Sequence, residues 1–338
     1  MSSIAIIGAG TWGTAIANML ANHKHDVVLY SQFQEEITKL TKTHTHPNLK
    51  DCILSSKLKF SNELESSLKN REVVVIAVPS VYVRKTTESL KPFLKKEQVI
   101  VTVAKGIEDE TNLTMSEIIN DVLGNDYKVV ALSGPTHAEE VSIGLPTLIV
   151  SACEDEEVAK KVQKIFYNEV LRVYTNTDIK GVELCGALKN IIALAAGMSD
   201  GLGYGDNAKA AIVTRGLNEM VTLGTAMGCN LKTFYGLAGI GDIVVTGTIS
   251  GYQCVGGFIG FKSNRIPSIM AEIDALDINT MNQYSYYKIR TIQAELDELP
   301  EYLLSKVTNL SNFEDYKEKW YEEQLDFFSV FGTQYRDR

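Results

Sequence analysis

The feature that most constrains the fold lies within the first thirteen residues of the chain. A short apolar run over residues 3–8 leads directly into Gly8-Ala9-Gly10-Thr11-Trp12-Gly13, which has the spacing G-x-G-x-x-G. Glycines at this spacing allow a tight strand-to-helix turn and a close approach of the backbone to a pyrophosphate, whose charge meets the helix N-terminus. The sequence therefore predicts a dinucleotide site, with these candidate cofactor-binding residues: Gly8, Gly10, Thr11, Trp12 and Gly13.

Short β-branched runs recur along the chain and alternate with helical patterns. Strands are predicted at 3–8, 26–30, 73–78, 99–103, 128–132 and 147–150, and helices at 13–23, 80–90 and 114–123. Such alternation predicts a doubly wound, mostly parallel sheet, whereas helical periodicity dominates from about residue 181. The expected fold class is α/β, with a Rossmann-like dinucleotide-binding domain over residues 1–180. An all-α substrate-binding and catalytic domain is expected over residues 181–338.

Composition narrows the partners and the compartment. The formal net charge of −9 argues against nucleic acid or an anionic membrane as the main partner, but does not exclude an anionic substrate. The five cysteines have neither disulfide-framework nor metal-site spacing, so we expect free thiols in a reducing cytoplasm and no metal site. A strand-like run from Ile4 leaves no room for a signal peptide, and we expect no membrane-spanning stretch.

One lysine stands out in the second half of the chain. Lys189 lies in a largely apolar helical run over residues 182–195, where a charged amine costs several kcal/mol to bury unless it is paired. From the helix alone, a lysine that extends its amine to water at the helix end is the simpler interpretation. The alternative is a buried functional amine.

The longer sequence around this lysine favours the second interpretation. The segments Leu188-Lys189-Asn190-Ile191-Ile192, Asp200–Asn207 (DGLGYGDN) and Gly236–Asp242 (GLAGIGD) resemble the NAD(P)-dependent glycerol-3-phosphate dehydrogenase family of bacterial type. The resemblance covers about the first 250 residues. It implies an oxidoreductase that interconverts dihydroxyacetone phosphate and sn-glycerol 3-phosphate with NAD(P)(H) and feeds glycerophospholipid synthesis. A homodimer is the commonest homo-oligomer and the assembly to test.

The resemblance also implies roles for individual residues. Lys189 corresponds to the proton-transfer lysine, and burial near another cation would lower the pKa of such an amine towards that of a general base. Lys105 corresponds to a second lysine that touches substrate and nicotinamide, and Asp242 to a substrate-binding residue that could orient Lys189. In the Ser-Gly-Pro loop, the corresponding residues are Gly134 and Thr136 for the substrate and Ala138 for the cofactor. Asn190 and Asn207 are expected to contact these site residues without touching the substrate, and a structural role is expected for His137.

The end of the second predicted strand bears on cofactor choice. Residues 30–32 are Tyr-Ser-Gln, without the acid that would bind the ribose hydroxyls of NAD and repel the extra phosphate of NADP. No arginine is present there to bind that phosphate either. The preference stays open and leans towards NADP.

The resemblance weakens after residue 250. The arginine by which relatives bind the substrate phosphate is replaced by Gln253, followed by Cys254, in an ungapped register, whereas a gapped register brings in Asn264-Arg265. The loss of a bidentate, charge-assisted contact would cost on the order of 1.5–3 kcal/mol. Two alternatives therefore stay open: a cofactor-binding protein with impaired catalysis, and a dehydrogenase of another small hydroxy acid or phosphate.

Overall fold

The structure, a computed structural model, describes residues 1–201 and 204–246. Its first part is built on an eight-stranded sheet with the strand order β3-β2-β1-β4-β5-β6-β7-β8. The strands are β1 (Ser3–Ile7), β2 (Asp26–Tyr30), β3 (Lys59–Ser61), β4 (Val73–Ile76), β5 (Val99–Thr102), β6 (Lys128–Ser133), β7 (Thr147–Ala152) and β8 (Leu171–Asn176). All neighbouring strands are parallel except β6 and β7.

Helices connect these strands and then continue, with no further strand among the described residues. The helices are α1 (Thr11–Asn22), α2 (Gln34–Thr43), α3 (Leu64–Leu68), α4 (Val83–Leu90), α5 (Met115–Leu123), α6 (Ala138–Ser142), α7 (Glu156–Phe166), α8 (Ile179–Gly201), α9 (Gly205–Ala226), α10 (Leu231–Phe234) and α11 (Asp242–Val244). Short 3₁₀ turns cover Ser80–Tyr82 and Lys91–Phe93, and Leu237–Gly241 is π-helical.

The order of the first six strands creates a crevice beside β1. The chain runs outward from β1 through β2 to β3, and then returns to the other side of β1 with β4, β5 and β6. In open α/β sheets, ligands bind at the carboxyl ends of the strands where the order reverses. The glycine-rich turn that follows β1 lies at this reversal, between β2 and β4.

Apolar side chains fill both faces of the sheet, and a third cluster joins the sheet to the helical part. Strands β1, β4 and β5 are hydrophobic on both faces, as expected of a parallel sheet covered by helices. The third cluster packs Ala131 and Val150 of the sheet against Val182, Leu184 and Phe234 of the helical part. This packing holds α8 against strands β6 and β7.

Helix α8 is less uniformly buried than its sequence indicates. Asn190 is exposed and Ile191 is 66% exposed, so the helix has an open face beside the one that carries Lys189. Within the described residues, one segment, Ile179–Ser199, is long and apolar enough to cross a membrane by length and composition. The prediction that no stretch reaches that length is therefore wrong as stated, although most of this segment is buried inside the protein.

The predicted strands and helices before residue 152 are all present, with ends shifted by a few residues. Two strands were not predicted. Strand β3 has only three residues, and in β8 the buried Leu171 and Val173 alternate with the exposed Arg172 and Tyr174. The predicted boundary between domains at residue 181 falls in the first turn of α8 and stays a prediction.

A buried carboxyl group connects α8 to the first turn of α5. Glu183 accepts hydrogen bonds from the backbone amide of Ser116 at 2.8 Å and from its hydroxyl at 2.5 Å. Burial raises the pKa of Glu183 from 4.5 to about 7, even though these hydrogen bonds favour the charged form. The site at the first turn of α5 suits a carboxylate, because the amides there have no partner within the helix and the helix dipole is positive.

We expect Glu183→Gln to stabilise the protein above neutral pH. An acid whose pKa is higher in the folded state than in the unfolded state favours folding at a pH below the unfolded pKa. This contribution to stability is lost as the pH rises from 4.5 to about 7. The shift corresponds to at most about 3 kcal/mol, and the amide avoids this loss while keeping an acceptor for Ser116. Urea unfolding at pH 5 and pH 8 checks this: the variant should gain on the wild type only at pH 8. An equal difference at both pH values would contradict the assignment.

Candidate active site

A buried ion pair joins two helices of the second part. The amine of Lys189, in α8, lies 2.7 Å from Oδ1 of Asp242, the first residue of α11. Lys189 is 7% exposed and Asp242 is 1% exposed. The amine therefore stays in the interior and does not extend to water, contrary to the simpler interpretation of the helix alone. Asp242 stabilises its positive charge.

The same carboxylate binds a second lysine, which comes from the sheet part. The amine of Lys105 lies 2.5 Å from Oδ2 of Asp242 and donates a second hydrogen bond to the carbonyl oxygen of Gly134 at 3.1 Å. Lys105 follows β5, and Gly134 follows β6, so both lie at the carboxyl ends of neighbouring strands. Two lysines and one aspartate leave the cluster with a net charge of about +1, which suits an anionic ligand.

A threonine also contacts Lys189. Thr246 accepts a hydrogen bond from the Lys189 amine at 2.7 Å, and its own hydroxyl lies 3.4 Å from Oδ1 of Asp242. Thr246 is buried and stands four residues after Asp242, on the same side of the helical turn. Thr246 is not among the predicted site residues, although its helical spacing from Asp242 indicates that the two side chains share one face.

Glycines allow the close packing that brings these groups together. A Cβ on Gly186 would lie 3.0 Å from the Ser133 hydroxyl and 3.3 Å from Cγ of Lys105, so α8 passes directly over the stem of that lysine. A Cβ on Gly239 would lie 2.0 Å from the carbonyl oxygen of Phe234. The π-helical segment before Asp242 therefore depends on a residue without a side chain.

The glycine-rich turn has the geometry of a pyrophosphate site. Gly8 has a φ of +116°, and a Cβ there would lie 2.5 Å from the carbonyl oxygen of Ala77, just after β4. By contrast, a Cβ on Gly10 would meet no protein atom within 4 Å. Helix α1 starts directly after Gly10, with no side-chain cap and no acid in its first turn. The free amides and the open space fit the phosphates of a dinucleotide.

The remaining predicted residues lie around this turn and the lysines. A Cβ on Gly13 would lie 2.2 Å from the Gly8 carbonyl oxygen, and Trp12 is half-buried against the core. Thr11 accepts a hydrogen bond from the Asn48 amide at 3.0 Å. In the loop after β6, the Thr136 hydroxyl donates to the Gly134 carbonyl at 3.3 Å, and Ala138 begins α6.

Other predicted residues are not placed at this cluster. Asn190 and Asn207 are both exposed, so neither lies in the buried surroundings of Lys189. His137 is half-buried at the start of α6. Gln253, Cys254, Asn264 and Arg265, together with the rest of the divergent tail, lie outside the described residues.

We expect Gly10→Ala to weaken cofactor binding without weakening the fold. The backbone of Gly10 has φ −66° and ψ 176°, which alanine adopts freely, and no protein atom contacts the added methyl group. The methyl group would occupy the space that a pyrophosphate needs, so NADH affinity should fall at least about tenfold, or 1.4 kcal/mol. Thermal unfolding and titration of cofactor fluorescence measure the two effects. Gly8→Ala is the contrast, since its strained φ should lower the unfolding temperature as well.

Comparison with known protein families agrees with this arrangement. A family model described as the NAD-dependent glycerol-3-phosphate dehydrogenase N-terminus matches residues 3–159, and the model of the C-terminus of that family matches residues 178–276. The second match continues past residue 250, where the sequence alone suggested that the resemblance fades.

Two curated relatives with similar sequences are both named as glycerol-3-phosphate dehydrogenases. Glycerol-3-phosphate dehydrogenase (NAD(P)+) 2 of Lactobacillus delbrueckii subsp. bulgaricus is 50% identical over 253 residues, which cover 73% of this chain and 75% of the relative. Glycerol-3-phosphate dehydrogenase (NAD(P)+) of Agathobacter rectalis is 47% identical over 247 residues, or 73% of each chain.

Solved structures show the same architecture. The crystal structure of glycerol-3-phosphate dehydrogenase from Coxiella burnetii aligns with a TM-score of 0.76 at 30% identity, covering 96% of this chain and 99% of that one. The yeast glycerol-3-phosphate dehydrogenase aligns at 0.66 and 22% identity over 94% of this chain and 98% of that one, a likeness of fold.

Proposed function

The chain belongs to the NAD-dependent glycerol-3-phosphate dehydrogenase family, and on that basis we propose that it interconverts dihydroxyacetone phosphate and sn-glycerol 3-phosphate with NAD(P)(H). The observation that carries the proposal is the Asp242 carboxylate shared by Lys189 and Lys105, at the carboxyl ends of β5 and β6. This arrangement supplies a buried proton donor and a positive charge at the carboxyl ends of the parallel strands, the same edge of the sheet that carries the predicted cofactor site.

The glycine-rich turn would hold the cofactor, and seven residues would form its binding surface. The amides at the start of α1 and the open space at Gly10 would take the pyrophosphate, while Gly8 and Gly13 keep the turn tight. When bound, the nicotinamide donates or accepts a hydride at C2 of the substrate. Thr11, Trp12, Ala138 and Lys105 would contact its other parts.

Lys189 would move the proton that accompanies the hydride. In the direction of reduction, its ammonium group donates a proton to the developing alkoxide at C2, and in the direction of oxidation its neutral amine takes that proton back. The Asp242 carboxylate and the Thr246 hydroxyl fix the position of this amine, each at 2.7 Å. The reduction consumes one ketone, one hydride and one proton, and yields one alcohol.

Lys105 and the loop after β6 would bind the substrate. The Lys105 amine bridges Asp242 and the Gly134 carbonyl, so it lies between the two parts of the protein. With Gly134 and Thr136 beside it, this amine offers a positive donor to the substrate oxygens. The product is the backbone of glycerophospholipids, and we propose that the enzyme supplies their synthesis in the cytoplasm, as a homodimer.

The direct test follows absorbance of the reduced nicotinamide during incubation with dihydroxyacetone phosphate and NADH or NADPH. We expect oxidation with a one-to-one yield of sn-glycerol 3-phosphate. Cofactor binding without oxidation would instead favour a binding protein with impaired catalysis. Oxidation only with other hydroxy acids or phosphates in their keto form would favour a relative with a different substrate.

A further inference from the structure

The end of β2 directly adjoins the glycine-rich turn. The backbone amide of Gly8 donates to the carbonyl oxygen of Tyr30, the last residue of β2, at 2.9 Å. Ser31 follows and is 4% exposed. In dinucleotide-binding folds, the group at this end of the second strand faces the adenosine ribose, where NAD and NADP differ.

The fold brings a carboxylate to this position from the next helix. The Ser31 hydroxyl donates to a carboxylate oxygen of Glu36 and accepts from the amide of Phe33 at 3.2 Å. Glu36 lies in the first turn of α2 and is partly exposed, so it is open to a ligand at the end of β2. The end of β2 has no acidic residue of its own. The chain turns into α2 after Ser31, and this turn brings the Glu36 carboxylate to the end of the strand.

The basic side chains near Glu36 offset its negative charge only in part. His46 interacts electrostatically with Glu36 and hydrogen-bonds the backbone of Ala9 in the glycine-rich turn, so Glu36 lies close to that turn. Burial lowers the pKa of His46, and its ring is therefore neutral at pH 7. Lys39 is exposed and screened by solvent.

No arginine is available from the first seventy residues to bind an extra phosphate at this position. The first arginine of the chain is Arg71. Its guanidinium pairs with Asp26, at the start of β2 and therefore at the other end of that strand. The described surroundings of Ser31 thus offer a negative group and no guanidinium.

We propose that Glu36, positioned by Ser31, makes the enzyme select NAD(H) over NADP(H). Its carboxylate accepts hydrogen bonds from the ribose hydroxyls of NAD and repels the 2′-phosphate of NADP. This inference rests on the proposed function for the reaction, but it concerns only the adenosine end of the cofactor. It reverses the leaning towards NADP that the strand sequence alone indicated.

Binding measurements without substrate test the proposal independently of turnover. Titration of the fluorescence of NADH and NADPH with the wild-type protein should give a Kd for NADPH at least about tenfold higher. The difference should shrink as salt is raised, because charge repulsion is screened. In Glu36→Gln, NADPH should bind at least about fivefold tighter than to the wild type, which corresponds to about 1 kcal/mol.

Glu35→Gln is the matched control, since it removes the same charge from the same turn of α2 at an exposed position. It should leave both Kd values within twofold of the wild type. Equal or tighter wild-type binding of NADPH, or an equal effect of the two substitutions, would overturn the proposal. Selective NADH binding with no turnover of dihydroxyacetone phosphate would retain it and reject the proposed reaction.

Discussion

Replacement of Lys189 by methionine should reduce turnover of dihydroxyacetone phosphate by about a thousandfold, within the range that proton transfer contributes to catalysis. Methionine fills a similar volume but cannot donate a proton to the alkoxide. The fold should survive, because Asp242 keeps its ion pair with Lys105 at 2.5 Å. Cofactor affinity should stay within twofold, since the glycine-rich turn does not involve Lys189.

Single-turnover oxidation of the reduced cofactor measures this loss at the chemical step. Lys180→Met is a suitable control, because Lys180 lies on the same helix and its ion pair with Glu117 is partly exposed. This control should keep nearly full turnover. Partial recovery of the smaller variant Lys189→Ala by added primary amines would separate a proton-transfer role from a structural one. Turnover of Lys189→Met close to the wild type would contradict the proposed role.

Replacement of Asp242 by alanine should lower the free energy of unfolding and abolish turnover. The substitution leaves two ammonium groups facing each other, and Lys189 is nearly inaccessible to water. Removing one partner of a buried ion pair costs about 3–5 kcal/mol. Urea unfolding measures the change in the free energy of unfolding, and the turnover assay measures the second effect.

Asp26→Ala is a matched control for this prediction. Asp26 also bridges two cations, Lys59 and Arg71, but its side chain is 32% exposed. Its loss should cost no more than about 1 kcal/mol, as for other solvent-exposed pairs. The double variant Asp242→Ala with Lys189→Met should recover part of the lost stability, because one unpaired amine is gone. Equal costs at the two aspartates would contradict the assignment of a buried charge cluster.

The sequence predicts the sheet well where strands are buried on both faces. Val73–Ile76 and Val99–Thr102 are continuous β-branched runs, which indicate parallel strands without any other information. Strand β3 has one apolar residue, Phe60, and forms because β2 offers a free edge to pair with. Pairing of that kind depends on tertiary structure and leaves no local pattern.

The sequence predicts which residues form the site, but not how their side chains contact one another. Lys189 is conspicuous as a charge in an apolar helix, and Asp242 ends a glycine-rich segment. Their ion pair joins residues 53 positions apart, and the contact of Lys105 with Asp242 spans 137 positions. Neither follows from spacing along the chain. Glu36 is only five positions from Ser31, but the sequence does not show that the turn after β2 brings it back to the end of the strand.

The separation of 137 positions between Lys105 and Asp242 also determines which part of the site can form first during synthesis on the ribosome. Domains generally fold as units during synthesis, beginning from the N-terminus. Strand β8, the last of the sheet, ends at Asn176, so the sheet and its glycine-rich turn can form while the chain is still being made. At that stage the Lys105 amine has no carboxylate from residue 242 to pair with. We therefore expect a nascent chain to bind a dinucleotide before it can reduce a ketone.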